Sequence, residues 1–509
     1  MSHWIIAPVV IPAIVASIIL LLARQDLMVH RILSLASTVT VAVISFALVY
    51  GATAVGHERY WLGSWPPPFG IVLVLDRLSA MMLAVTSIVG LASVLYAVQG
   101  WDERGANFHA LFQFQLMGLN GAFLTGDLFN LFVFFEVLLI ASYGLLLHGG
   151  GPARVRAGVH YVVINLTGSS LFLIAVAILY GLTGTLNMAD LAVRIPQLPA
   201  ADAGLVRGAA LLLLVVFSVK AALLPLHFWL PNTYGSAAAP VAALFAIMTK
   251  VGAYSILRVF TLIFGEGGGI GAMVAAPWLL PVALATLVVG VLGALASRDL
   301  RGMVAFLVIA SMGTLLAAVG LFNLRGLSAA IYYIVHSTVA TAALFLLAEI
   351  IAGERGEVGD HLSPSHDLVQ PRTIGVLFLA AGVAAAGMPP LSGFIGKLLI
   401  LEGAMPTPWV AWLWSVVLVT SLMMIVALGR AGSVVFWKTR AGPASGAVRA
   451  PMPGLAVVAA LLLITAAMTV LAGPMTSYTD TIAAQLIAPE GYIRAVLGPE
   501  ALAVLPPAR

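Results

Sequence analysis

Five ionisable side chains stand where a membrane-length apolar run should carry none: Glu136, Lys220, Lys250, His336 and Lys397. Glu136 lies in Leu131-Phe132-Val133-Phe134-Phe135-Glu136-Val137-Leu138-Leu139, and His336 in Tyr332-Tyr333-Ile334-Val335-His336-Ser337-Thr338. Lys438 is the one lysine of the chain outside such a run. A charge at bilayer centre costs about 2.5–3.5 kcal/mol even on the gentlest insertion scale. Groups kept against that cost usually face a wet interior, pair with one another and mark an ion or proton path. Burial disfavours a charged ammonium and a nearby carboxylate favours it. A row of such groups can therefore pass protons, each transfer altering the charge preference of the next group. Ser170, Thr249, Ser311 and Thr338 are hydroxyls that can bridge gaps with water.

Plainer readings stand beside this one. Glu136 and a lysine can form a buried structural ion pair, although replacing such pairs by apolar residues is often neutral or stabilising. Lys250 can snorkel to an interface if its span is displaced by two turns. His336 can be a hydrogen-bonded packing residue. A haem held by two of His160, His227 and His336 would need matching depth on facing helices, and His160 and His227 sit too near span ends or breaks for that. No cofactor or metal site is read from the sequence. Phosphate loops and nucleophile motifs are absent, and Gly267–Gly269 lacks the strand and helix context of a binding loop.

Two apolar runs are interrupted near their lysines. One reads Lys220-Ala221-Ala222-Leu223-Leu224-Pro225-Leu226-His227-Phe228-Trp229-Leu230-Pro231; the other reads Gly387-Met388-Pro389-Pro390-Leu391-Ser392-Gly393-Phe394-Ile395-Gly396-Lys397. Proline removes a backbone donor and clashes with the preceding turn, so the spacing predicts helix breaks at Pro225, Pro389 and Pro390. Irregular backbone inside a membrane is tolerated only where protein or water satisfies it. Interrupted spans at corresponding places in two halves point to a transporter's working site.

The elements that must position these groups follow from composition. Of the 509 residues, 61% are hydrophobic and 9% charged, against about 45–50% and 25% in ordinary globular domains. That excludes a soluble enzyme, a nucleic-acid binder and a disordered chain. There are no cysteines, which excludes disulfides and Cys-ligated centres. About 20 apolar residues make one membrane helix, and about fourteen such runs can be laid along the chain. The seventh, Val206–Leu230, and the twelfth, Thr373–Gly403, are the interrupted ones. The expected organisation is one polytopic all-α domain: spans 1–3 in residues 1–107, a five-span repeat in 108–265, a second, inverted repeat in 275–440, and a last span with a tail in 450–509. The repeats correspond to spans 4–8 and 9–13; an odd number of spans forces the inversion. The first run lacks a basic leader and is read as a retained span. Basic residues favour the odd-numbered loops, with Arg24 and Arg31 among them, over the even side, which holds Arg59, Arg77 and Arg509. The positive-inside rule then places both termini outside. The tail from Thr476 is expected as a short interfacial helix.

The stretch Gly126-Asp127-Leu128-Phe129-Asn130-Leu131-Phe132-Val133-Phe134-Phe135-Glu136 resembles the fifth helix of the antiporter-like subunits shared by respiratory complex I and Mrp-type cation/proton antiporters. Lys220 to Pro231, Asn232 through Lys250, and Met388 to Lys397 resemble the same family. Helix 5 through His148-Gly149-Gly150, and a lysine at 397, look most like the D-type subunit of the Mrp (Mnh, Pha) complexes. The resemblance implies a Glu136–Lys220 pair, Lys250 as central relay, His336 joining two halves and Lys397 as the far terminal group. It also implies a bacterial cell membrane, a hetero-oligomer with other antiporter subunits, and export of a monovalent cation, Na+ or K+, coupled to proton entry. Two other readings stay open: a component of a redox-driven proton pump, and a non-transporting scaffold. None makes the isolated chain an enzyme.

Overall fold

A computed structural model describes residues 2–21 and 26–504; Arg24 and Arg509, both used in the charge tally, lie outside the described residues. In chain order the helices are α1 Ser2–Leu21, α2 Leu27–Val55, α3 Arg77–Ala97, α4 Phe108–Leu124, α5 Leu128–Leu147, α6 Pro152–Thr183 and the short α7 Met188–Arg194. They continue with α8 Ala203–Ala221, α9 Trp229–Ser236, α10 Ala239–Leu262, α11 Ala276–Ala296, α12 Leu300–Val319 and α13 Leu324–Glu354. The last six are α14 Pro371–Ala386, α15 Ser392–Ala404, α16 Val410–Gly432, α17 Met452–Val470, α18 Ala472–Ile487 and α19 Glu490–Leu497. Two small ribbons complete the described chain. One pairs Glu58–Trp61 with Val72–Leu75 antiparallel, and the other pairs Ser365–Asp367 with Thr439–Pro443 in parallel.

The chain is thus an all-α membrane protein. Among the described residues, twelve helices are long and apolar enough to cross a membrane. The expectation of about fourteen spans counted two more segments. One is α4, which has 17 residues. The other is the twelfth run, which the structure divides into α14 and α15. Both breaks fall where the prolines place them: α8 stops at Ala221 with Ala222 left-handed (φ 52°), and α14 stops at Ala386 with Gly387 left-handed (φ 75°). Pro8, Pro12 and Pro281, by contrast, lie inside continuous helices.

Helix starts are set by short acidic and amide side chains. Asp26, Asp127, Asn187, Asp299 and Asn323 each accept a hydrogen bond from a backbone N–H of the first turn, satisfying donors that have no intrahelical partner. Asp76 forms a reciprocal capping box with Ser79. The interior is built around α10, buried along its whole length, and α13, while α1 and α16 expose most of theirs. These two enclosed helices carry Lys250 and His336. Large apolar side chains on the periphery, such as Phe46, Ile140, Trp412 and Leu463, are exposed, as surfaces facing lipid or a neighbouring membrane chain require.

The tail forms two short helices. α18 packs on α13 and α10, and α19 buries Tyr492, Ile493 and Val496 against the protein body.

Candidate functional site

Glu136 projects from the middle of α5 and is half-buried. Its carboxylate accepts a hydrogen bond from Ser169 Oγ of α6. Lys220 belongs to the last turn of α8, the carbonyl end of the first half of the broken seventh run, where partial negative charge favours a cation. Its Nζ donates to Asn165 Oδ1 of α6 at 3.0 Å and stands 5.7 Å from the centre of the Phe135 ring. Among the described residues, no ion pair within 4.0 Å joins Glu136 to Lys220. The expected pair is therefore divided. The two groups remain within electrostatic reach of each other, but each is held by a different residue of α6, one turn apart. This bridge was not expected from the sequence, where Ser170 was the hydroxyl singled out. One residue on a helix turns the side chain by about 100°, and Ser170 is exposed, bonded to the Leu166 carbonyl.

Lys250 lies on α10 with no exposed surface, and its Nζ meets no hydrogen-bond partner in the described protein; the neighbouring Thr249 Oγ1 also has none. α10 runs against the end of α8 because position 252 is glycine. A Cβ there would stand 2.6 Å from Ala221 N and 2.8 Å from Phe217 O, distances that real Cβ atoms do not tolerate. A cavity beside Lys220 is lined also by Phe135, Leu138 and Leu139 of α5, by Asn165 and Trp229, and by Met248 and Val251 of α10. Its space for water centres is about 10 Å3, close to what one water needs.

His336, 2% exposed on α13, contacts Ser392 Oγ through Nδ1 at 2.8 Å and is within electrostatic reach of Lys397 and Lys250. A second cavity, of about 20 Å3 by the same measure, adjoins it and is lined by Ser311, Ser337, Thr341 and Met424. Lys397, on α15, reaches back across the break. Its Nζ donates to the carbonyl of Ala386, the last residue of α14, and to Ser421 Oγ of α16, both at 2.8 Å. Glycines make room for both groups. A Cβ on Gly387 would meet Lys397 Cδ at 2.7 Å, and one on Gly393 would meet His336 Nε2 at 2.8 Å.

The five groups are carried by α5, α8, α10, α13 and α15, with hydrogen-bond partners on α6 and α16. One small cavity lies beside Lys220 and another beside His336. Of the anticipated hydroxyls, Ser311 reaches the His336 cavity, while Thr338 bonds its own helix at the Ile334 carbonyl. Asn165, Ser169, Ser392 and Ser421 were not anticipated. The available signal was the i,i+4 spacing of Asn165 and Ser169, on a helix that also carries Thr167 and Ser170. The three histidines weighed for a haem differ in setting: His160 is exposed, His227 lies in the α8–α9 break and His336 is buried.

Comparison with known proteins gives concordant matches. A family model described as NADH:quinone oxidoreductase/Mrp antiporter, TM, matches residues 125–427. The D-type component of a probable K(+)/H(+) antiporter of Rhizobium meliloti (strain 1021) is 40% identical over 530 residues, covering 98% of each chain. The D-type component of the Na(+)/H(+) antiporter of Bacillus subtilis (strain 168) is 37% identical over 501 residues, covering 98% of this chain and 100% of that protein. Among solved structures, a chain in the Mrp complex from Dietzia sp. DQ12-45-1b is similar at TM-score 0.88 with 28% identity, covering 98% of this chain and 100% of that one.

Proposed function

The chain belongs to the NADH:quinone oxidoreductase/Mrp antiporter family, and from that premise we propose that it is the D-type, proton-translocating component of a multisubunit monovalent cation/proton antiporter. Protons pass along Glu136, Lys220, Lys250, His336 and Lys397, and their movement is coupled to efflux of Na+ or K+ by the assembled complex. The breaks at Pro225, Pro389 and Pro390 free the backbone beside Lys220 and Lys397. Residues 108–265 and 275–440 act as the two inverted halves, each contributing one broken span, with both termini on the outer face of a bacterial cell membrane.

The observation that carries this reading is Lys250: wholly buried, on the most enclosed helix, with no hydrogen-bond partner for its Nζ among the described residues. A lysine kept for stability would be paired, because an unpaired buried amine is strongly unfavourable. A group that must receive a proton and give it up gains from having no fixed partner. Lys220 and Lys397, bonded to neutral acceptors rather than carboxylates, fit the same use, since a neutral acceptor holds an ammonium less tightly than a carboxylate does.

The test is antiport in everted membrane vesicles carrying the intact complex. Glu136→Gln and Lys220→Ala are each expected to abolish cation-dependent proton movement while the partner chains still copurify. Normal antiport by both variants would overturn the relay. The family description also names an NADH:quinone oxidoreductase, which leaves a redox-driven proton pump as the second reading. Mass spectrometry of the complex copurified with this chain separates the two: flavin or Fe–S proteins among the partners would move the same residues into a redox-driven pump.

A further inference from the structure

We propose that Asn165 and Ser169 of α6 are positioning residues that hold Glu136 and Lys220 apart and give each a weak, releasable partner during proton transfer. The proposal rests on the relay reading above and names residues that this reading does not use.

Five observations carry it. Lys220 Nζ donates to Asn165 Oδ1 at 3.0 Å, and Ser169 Oγ donates to the Glu136 carboxylate. Asn165 is 1% exposed, and its amide is oriented by its own helix: Nδ2 donates to the Tyr161 carbonyl at 2.9 Å, which turns Oδ1 toward Lys220. Tyr161 is itself fixed, its hydroxyl lying 2.8 Å from Ser142 Oγ of α5. Finally, Asn165 and Lys220 line the same small cavity, which residues of α5 and Met248 and Val251 on the helix of Lys250 also line.

The chemistry follows from donor and acceptor inventories. Oδ1 of an asparagine only accepts, so Asn165 binds Lys220 whenever the amine presents an N–H, in either protonation state. The Ser169 hydroxyl can donate to a carboxylate or accept from a carboxylic acid, so it keeps Glu136 in place through a change of protonation. Neither partner is charged. A direct Glu136–Lys220 ion pair is a stronger, charge-assisted contact and would hold Lys220 at the α5 side. By occupying both groups separately, α6 weakens that pair and keeps the Lys220 amine beside the cavity that Met248 and Val251 of α10 also line.

A stronger partner for Lys220 should therefore work worse. Asn165→Asp would set a carboxylate where the neutral oxygen now lies and trap Lys220. Asn165→Leu would remove the acceptor, and Ser169→Ala the donor. In vesicles carrying the full complex, each of the latter two is expected to lower maximal antiport about tenfold, the size of one hydrogen bond to a charged group. The half-saturating cation concentration should stay unchanged. Ser169→Thr should restore most of the rate, and Asn165→Asp should fall below Asn165→Leu. Wild-type rates in Ser169→Ala and Asn165→Leu would overturn the proposal, as would Asn165→Asp exceeding Asn165→Leu. Failure of both removal variants to assemble, with Ser169→Thr and Asn165→Asp assembled and fully active, would assign α6 a packing role and also overturn it. Glu136→Gln and Lys220→Ala are measured in parallel. If those two remain active, the relay reading itself fails; if they are inactive while the α6 variants are normal, only this inference does.

Discussion

Lys250 separates function from stability at the scale of a single side chain. An amine buried without a partner destabilises the folded state, and apolar replacements of buried charged groups are often neutral or stabilising. Lys250→Met is therefore expected to abolish antiport without lowering the thermal unfolding midpoint of the purified complex. A lowered midpoint would mean that Lys250 has a structural partner. Asp102, in the loop between α3 and α4, behaves in the opposite way. Burial alone would push its carboxyl up, but the hydrogen bonds from Arg31 and His109 outweigh this and hold it below the ordinary carboxylate range. Arg31 Nε lies 2.6 Å from it. Because the folded value is depressed, the tie contributes fully above the unfolded value of about 3.9 and is lost as pH falls through the lower folded value. Asp102→Asn should cost about 2 kcal/mol near neutral pH, less than a fully buried pair because the Arg31 side chain is partly exposed. The difference from wild type should shrink in acid unfolding curves below about pH 4.

At the scale of elements, the site depends on how closely α10 approaches α8. The Gly252 position has backbone on its far side: a Cβ would lie 2.6 Å from Ala221 N and 3.0 Å from Lys220 C. Backbone at a helix end cannot move aside as a flexible side chain can. Gly252→Ala should therefore separate the helices at the residue that carries Lys220, destabilise by about 1–3 kcal/mol and slow antiport. The corresponding change at Gly168 is the control. A Cβ there meets its nearest atom, on Val219, at 3.6 Å, so Gly168→Ala should leave antiport unchanged. Equal effects at both sites would remove the close approach as the cause.

The same scale shows what was legible in the sequence. The five ionisable residues and both breaks could be read because each is a chemical exception in an apolar run. Lys220 precedes its break and Lys397 follows its own, which reads as asymmetry. In the fold, Lys220 occupies the carbonyl end of α8 and Lys397 reaches back to the carbonyl end of α14, so each broken run brings an amine to a helix's carbonyl end by a different route. That convergence depends on side-chain reach across a break, which spacing does not encode. The α6 bridge was missed for a related reason. Serines are common in membrane helices, and only the packing of α5 against α6 decides whether Ser169 or Ser170 faces Glu136.

At the scale of the whole molecule, the C-terminal helices are tied to the central helix through charge. Arg258, eight residues beyond Lys250 on α10, pairs with Asp76 at 2.6 Å, and its guanidinium stands 5.1 Å from the centre of the Tyr492 ring of α19. Asp76 and Arg258 are both nearly inaccessible, at 3% and 5% exposed. Arg59 adds a second tie, donating to the Ala495 and Val496 carbonyls at the end of α19. Breaking a buried pair from one side leaves a charge without compensation and costs about 3–5 kcal/mol, whereas removing both charges is often close to neutral. Arg258→Met should then loosen the tail, speeding proteolytic cleavage at Arg494 and lowering the unfolding midpoint. Asp76→Asn keeps a side-chain oxygen at the start of α3, where asparagine caps about as well as aspartate. The double variant Asp76→Asn/Arg258→Met should therefore recover most of the loss. If the double variant is as unstable as the two single losses added together, the pair does not couple these elements, and the tail is held by the apolar seats of Ile493 and Val496 instead. Recovery of stability in the double variant, measured beside its antiport rate, would then show whether α19 serves only to close the fold or also keeps the Arg258 end of α10 in place for transport.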